Sequence, residues 1–312
     1  MLSIIWFEGK GVRKTKKKYI KKRPGYFKTM INPKKFHYSQ IKFIIILFPI
    51  LVVMLLPIIF IISHAFKPID ELYAYPPKFL TSRLTFNNFR NLFLAASQTE
   101  VPMSRYLFNS LLACLLVIIL SLVISSLASY AFSFLSFKGK KILFASTQVA
   151  IMFVAIAVAV PRYMVLNYLG ITDTFLAHII PLLAMPVGIF LLKQFMDQIP
   201  RDLLDAAVMD GANKFHFYWY IVIPLVKPAL ATIAILAFQA SWNNIETSSL
   251  YIINENLKTL PYYFGSLTMG TSSIASQGIS AAASLIIFLP NIVVFIVLQH
   301  KVMNTMAHSG IK

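Results

Sequence analysis

One cysteine, Cys114, occurs in 312 residues, so this chain builds neither an internal disulfide nor a cysteine zinc cluster. Charge is scarce as well: Asp, Glu, Lys and Arg make up 13% of the residues, where about 25% is usual for a soluble domain. Acids are the scarcest, 11 Asp and Glu against 29 Lys and Arg. No Gly-x-x-x-x-Gly-Lys-Ser/Thr loop is present to cradle nucleotide phosphates, and neither a Gly-x-Ser-x-Gly elbow nor a His-Glu-x-x-His helix occurs. Those absences remove the usual grounds for an ATPase, a serine hydrolase or a metalloprotease. The chain is not expected to be an enzyme, and no catalytic or metal-binding residue is assigned.

What fills the chain is apolar. Hydrophobic residues make up 58% of it, against roughly 45 to 50% in ordinary soluble domains. Runs near the ~20 residues that cross a bilayer recur at 41–66, 107–134, 142–160, 175–192, 221–238 and 279–298. The reading is an all-α, polytopic integral membrane protein with six transmembrane helices in a domain over 41–312, preceded by a basic segment over 1–40. Thirteen Lys or Arg lie between Lys10 and Lys42, and Glu8 is the sole acid in the first 40 residues. So the formal charge of +18 is read as a positive-inside signal that also meets anionic lipid headgroups, not as a nucleic-acid surface. The run 41–66 is too long for a signal-peptide core and is expected to stay as an anchor. Both termini and the loops 135–141 and 193–220 then face the cytoplasm. Lys138, Lys140, Lys141, Lys193, Arg201, Lys214, Lys227 and Lys301 lie on or near that side.

The central parts of the six runs hold no Asp, Glu, Lys or Arg, the groups that ion-coupled transporters use to bind or relay their ion. His178 is read as a hydrogen-bonded interfacial histidine, not a proton carrier. Prolines punctuate the runs at 49, 57, 161, 181, 186, 224, 228 and 290. Each removes a backbone donor and is able to bend its helix.

Between the fourth and fifth runs lies Asp205-Ala206-Ala207-Val208-Met209-Asp210-Gly211, followed by Ile221-Val222-Ile223-Pro224. Pro200 opens a short helix with Asp202 and Asp205 toward its positive end. Leu203, Leu204, Ala207 and Val208 share one face, and Asp202, Asp205 and Met209 another. Gly211 closes the helix in a left-handed conformation, and Asn213 caps a second short turn carrying Phe215, Phe217, Tyr218 and Trp219.

This spacing resembles the signature loop of the membrane permease subunits of type I ATP-binding-cassette importers: Glu-Ala-Ala, three residues, Gly, nine residues, Ile-x-Leu-Pro. Asp205 departs from the usual Glu by one methylene. The flanking Ala212, Leu225 and Pro228-Ala229-Leu230 resemble the carbohydrate branch, the group containing the second permease subunit of the maltose importer. Likeness extends to Tyr75-Pro76-Pro77, Leu84-Thr85-Phe86-Asn87-Asn88-Phe89, Tyr106-Leu107-Phe108-Asn109-Ser110-Leu111, Ser241-Trp242-Asn243-Asn244 and Met306–Lys312, so it covers about 67–312.

The resemblance implies a subunit of a bacterial cytoplasmic-membrane importer whose loop 200–216 docks on ATPase subunits through Asp205, Ala206, Ala207, Asp210, Gly211, Ala212 and Pro224. It implies as partners a second six-span permease, two ABC ATPase subunits that carry the ATP and Mg, and an extracytoplasmic solute-binding protein. The solute is read as a saccharide, taken to be an oligosaccharide. A non-sugar solute such as a peptide or phosphonate, or a channel or scaffold role, are the alternatives. A sugar path wants neutral amides, hydroxyls and aromatic faces. The expected set is Gln148 in the third span with Ser146 and Thr147 beside it, Gln239, Trp242, Asn243 and Asn244 at the outer end of the fifth, and Asn291 in the sixth.

Overall fold

The computed structural model describes residues 39–97, 100–269 and 274–309. Of the basic segment 1–40, residues 1–38 lie outside the described residues, as do residues 310–312 of the C-terminal stretch. The chain divides into two units, Met1–Leu55 and Leu56–Lys312. The described part of the first unit is helical and belongs to α1 (Ser39–Ala65). Its side chains from Phe43 to Phe48 are half or more exposed, and a continuous apolar surface of that kind belongs in lipid.

The second unit takes in the last turns of α1. Then follow α2 (Ile69–Leu72), α3 (Asn87–Ser97), α4 (Met103–Phe134) and α5 (Lys140–Ile151). A 3₁₀ turn, Ala155–Val158, leads into α6 (Ala159–Tyr168), and a second, Phe175–His178, into α7 (Ile180–Leu183) and α8 (Pro186–Met196). After α9 (Arg201–Met209) and α10 (Lys214–Phe217), a π-helical turn, Tyr218–Val222, joins α11 (Ile223–Leu225) to α12 (Lys227–Trp242). Another π-helical turn, Thr247–Tyr251, and a 3₁₀ turn, Glu255–Leu257, precede α13 (Leu260–Met269) and α14 (Ile274–Ser309). Among the described residues there is no strand.

Among the described residues, three helices are long and apolar enough to cross a membrane unbroken: Ile41–Ala65, Met103–Phe134 and Ser276–Gln299. Three more spans exist only as bent pairs. Lys140–Ile151 and Ile156–Tyr168 meet at 110°, Phe175–Leu183 and Pro186–Met196 at 43°, and Lys214–Leu225 and Lys227–Trp242 at 79°. Counted as one span each, they complete the expected six. The bent pairs shift two boundaries. The third span extends past residue 160 to Tyr168, and the short helix capped by Asn213, α10, continues through the π-helical turn to Leu225 before the 79° bend into α12.

Proline position accounts for two of the three breaks. Pro186 and Pro228 each sit in the first turn of the arm that follows a break, where a missing N–H removes no helical bond, while Pro161 and Pro181 stand within the first turns of α6 and α7. Pro49, Pro57 and Pro290 lie inside unbroken helices.

Helix α4 packs on α8 and α12, and α12 packs on α14. Small groups permit the close approach. Ser121, Ser125, Ser129 and Ser133 recur every fourth residue of α4 and are buried. Ser129 Oγ donates to the Ile189 carbonyl at 2.8 Å, and a Cβ added at Gly188 would lie 3.2 Å from Ser125 Oγ.

At the other end, side-chain amides hold the loops. Asn88 Nδ2 reaches the carbonyls of His64, Ala65 and Lys67 at 3.2, 3.1 and 2.8 Å, capping α1. Asn109 Nδ2 donates to Asn256 O and Lys258 O at 2.8 and 2.9 Å. Asp173, at φ 59°, accepts the N–H groups of Ile253 and Asn254 at 2.9 and 2.8 Å. His178 sits as expected: Nδ1 is 2.8 Å from Thr247 Oγ1 and Nε2 2.9 Å from Leu257 O, so both ring nitrogens are engaged.

Candidate functional site

Helix α9 starts immediately after Pro200, which stands one position earlier than expected, as its cap at ψ 137°. Gly211 takes φ +80°, the left-handed region that costs glycine nothing and an L-side chain strain. Ala212 N then donates to Ala207 O at 2.9 Å, and Asn213 Oδ1 accepts from His216 N at 2.7 Å, capping the next turn. The apolar face of α9 divides. Leu204 and Ala207 pack inward among Leu192, Phe195, Met196 and Ile199 of the α8 end. Leu203 and Val208 face outward at 42% and 60% exposure, beside Met209 at 87%. Asp205, Ala206, Asp210, Gly211 and Pro224 are exposed too, and Ala212 is half-buried.

The loop is bound firmly behind that surface. Tyr130 of α4 donates its hydroxyl to Lys214 O at 2.9 Å, and Ser126 Oγ lies 2.7 Å from Tyr218 Oη. Phe217, 1% exposed, stacks its edge on Phe134 at 5.3 Å. Phe217, Tyr218 and Tyr130 thus tie the segment after α9 to α4. Phe215, Trp219 and Tyr220 stay exposed on the outer side.

The residues read as a solute path do not form one site. Trp242 is 3% exposed, and its indole N–H donates to Ile287 O at 2.9 Å. Asn243 and Asn291 bond to each other, Nδ2 to Oδ1, at 3.3 and 3.0 Å. Both line a cavity of about 290 Å³ with Pro57, Ile61 and Phe288. Asn244 Oδ1 accepts from Thr247 N and Oγ1 at 2.8 and 2.9 Å. Gln148 and Gln239 are exposed, as is Ser146; Thr147 is half-buried.

Asn244 belongs to a different cavity, about 460 Å³, walled by α6, α7, α8 and α12. It also holds charges that the span boundaries at 142–160 had excluded. Arg162 Nη1, in the second arm of the third span, lies 3.1 Å from Glu246 Oε1. Tyr251 donates its hydroxyl to the same oxygen at 2.9 Å; burial and the neighbouring Glu246 push that hydroxyl's pKa up and keep its proton. The sequence signal was Pro161-Arg162 inside an apolar stretch, where an arginine needs a partner.

A family model described as "Binding-protein-dependent transport system inner membrane component" matches residues 35–301. The trehalose transport system permease protein SugB of Mycobacterium tuberculosis is 29% identical over 260 residues, 83% of this chain and 92% of that protein. The arabinooligosaccharides transport system permease protein AraQ of Halalkalibacterium halodurans is 29% identical, over 82% of this chain and 90% of its own. Similar in fold is a chain from the crystal structure of a bacterial ABC transporter involved in the import of the acidic polysaccharide alginate. It has a TM-score of 0.69 and 21% identity, covering 86% of this chain and 99% of that one. With a match over most of its length, an all-α polytopic build and the signature loop in place, this chain belongs to the inner membrane components of binding-protein-dependent transport systems: it is a transport permease embedded in the membrane.

Proposed function

We propose that this chain forms half of the translocation path for a saccharide of oligosaccharide size and is driven by ATPase subunits docked on loop 200–216. The observation that carries the coupling assignment is the divided face of α9. Its inner side is fixed to α8, while Leu203, Val208 and Met209 stand exposed next to Asp205, Ala206 and Gly211. An apolar patch with small residues at its centre suits a partner's groove. ATP and Mg belong to that partner, since this chain carries no phosphate-cradling loop. A second six-span permease supplies the other half of the path, and an extracytoplasmic binding protein delivers the solute. Relatives named for trehalose and arabinooligosaccharides favour a saccharide over a peptide or phosphonate. The cavity around Asn244, Arg162 and Glu246 is the part of the path this chain contributes.

Orientation follows from the basic segment: both termini in the cytoplasm, in a bacterial inner membrane. Cysteines placed at Glu100, Asp173 and Glu255 are expected to react with a membrane-impermeant maleimide from outside; the native Cys114 is buried and gives little background. Reaction only from the cytoplasmic side would overturn the topology. For the activity, the assembled transporter in liposomes is expected to hydrolyse ATP faster with saccharide-loaded binding protein than with the empty protein. Stimulation confined to a peptide-loaded binding protein would overturn the saccharide assignment.

A further inference from the structure

Beside loop 200–216, the ends of α4, α5 and α8 and the first residue of α9 enclose a cavity of about 560 Å³ that transport leaves without a task. Four cationic side chains line it, Lys140, Lys141, Lys193 and Arg201, against one acid, Asp197. Lys193 Nζ lies 2.5 Å from Asp197 Oδ2. Lys140 Nζ donates to the Leu135 carbonyl at 2.9 Å, a neutral partner. Lys141 and Arg201 form no ion pair among the described residues. Like charges gathered at one cavity repel unless an anion completes the set.

Phe132 and Phe144 form an apolar wall, with Lys193 Nζ 4.7 Å from the Phe144 ring centre. The level in the membrane is set by sequence position. Lys140 begins the third span and Lys193 lies in the last turn of α8, so the cavity sits where headgroups of one leaflet lie, on the side of the coupling loop.

We propose that this cavity binds a phosphate group, that of an anionic phospholipid headgroup, with Lys141 and Arg201 on the phosphate oxygens. Arg201 is the first residue of α9. An occupied site therefore ties the coupling helix to α4, α5 and α8 and makes coupling sensitive to the lipid of that leaflet.

The test uses the full-length chain in a neutral detergent and equilibrium binding of fluorescent phosphatidylglycerol, with fluorescent phosphatidylcholine as the uncharged comparison. Each Lys or Arg near an anionic headgroup contributes about a fivefold change in affinity, so Lys141→Gln with Arg201→Gln is expected to weaken phosphatidylglycerol about twenty- to thirtyfold. Phosphatidylcholine binding should stay unchanged. Lys138→Gln, on an exposed lysine that does not line the cavity, should bind as the native chain does. Equal binding of the two lipids by the native chain, or an equal loss in Lys138→Gln, would overturn the site. Displacement of phosphatidylglycerol by equimolar inorganic phosphate would keep the phosphate chemistry and overturn the lipid as its source. Because the readout is lipid binding by this chain, its failure leaves the importer assignment untouched.

Discussion

A methyl group added at Gly278 of α14 would lie 2.6 Å from Asn88 Oδ1, closer than carbon and oxygen approach. Asn88 is the residue that caps α1 through the carbonyls of His64, Ala65 and Lys67. Gly278→Ala is therefore expected to push the amide off those carbonyls. Losing them lowers stability by about 1 to 3 kcal/mol, read as a drop in the apparent melting temperature of the purified protein. Asn88→Ala should cost a similar amount, and the double variant no more than the worse single one, because both act on one contact. Additive losses would show that Gly278 matters for something other than room for Asn88.

The pair Arg162–Glu246 joins α6 to the segment after α12, at side-chain exposures of 28% and 32%. A double-mutant cycle with Arg162→Gln and Glu246→Gln is expected to give a coupling on the order of 1 kcal/mol, the upper end for pairs in contact with water. Glu246→Gln should also loosen Tyr251, whose hydroxyl then donates to a neutral oxygen. A coupling near zero would remove the pair from any account of how the two arms are held.

Glu71, in the short helix α2, offers a pH test. Burial by itself raises its carboxyl pKa, but the Thr81 hydroxyl at 2.8 Å and the Ser82 N–H, with Lys78 and Arg83 nearby, outweigh it. The net folded value is lowered from the usual 4.5. A lowered carboxyl pKa means that the unfolded chain binds the proton first as pH falls. The contribution is thus complete above the unfolded value and disappears as pH drops through the folded one. In Glu71→Gln the acid-side decline of stability below about pH 4.5 should be shallower than in the native chain. Identical acid profiles would overturn the assignment.

Local chemistry was legible in the sequence; partnership across the chain was not. Gly211 at φ +80° and the Asn213 cap follow from residues a few positions apart, and their spacing was enough to place them. The six apolar runs were also legible, because lipid imposes length and composition directly. Which prolines break a helix was not, since Pro228 opens a segment while Pro290 passes through one, and that difference depends on neighbouring helices. Arg162 escaped notice because its partner lies 84 residues away. Trp242 looked like a surface for a sugar, yet its N–H meets a carbonyl 45 residues on. The family match begins at residue 35, ahead of the first motif that carries the resemblance.

Gly211 separates backbone strain from bulk. A Cβ built there meets nothing within 4 Å, so a substitution collides with no neighbour of this chain, and its cost comes from the positive φ alone. For a β-branched residue that cost is on the order of 1 to 3 kcal/mol. Asparagine visits the left-handed region far more readily. Gly211→Val is therefore expected to insert in the membrane and remain folded around Phe217 and Tyr130, while α9 is re-aimed and solute-stimulated ATP hydrolysis by the assembled transporter is lost. Gly211→Asn should retain most of that stimulation. The ranking distinguishes the coupling role from simple crowding at the docking surface, because valine and asparagine are of similar size. Should both variants lose coupling equally, the partner's groove and not the turn excludes a side chain at 211. Should Gly211→Val support normal transport, the loop 200–216 is not the coupling element.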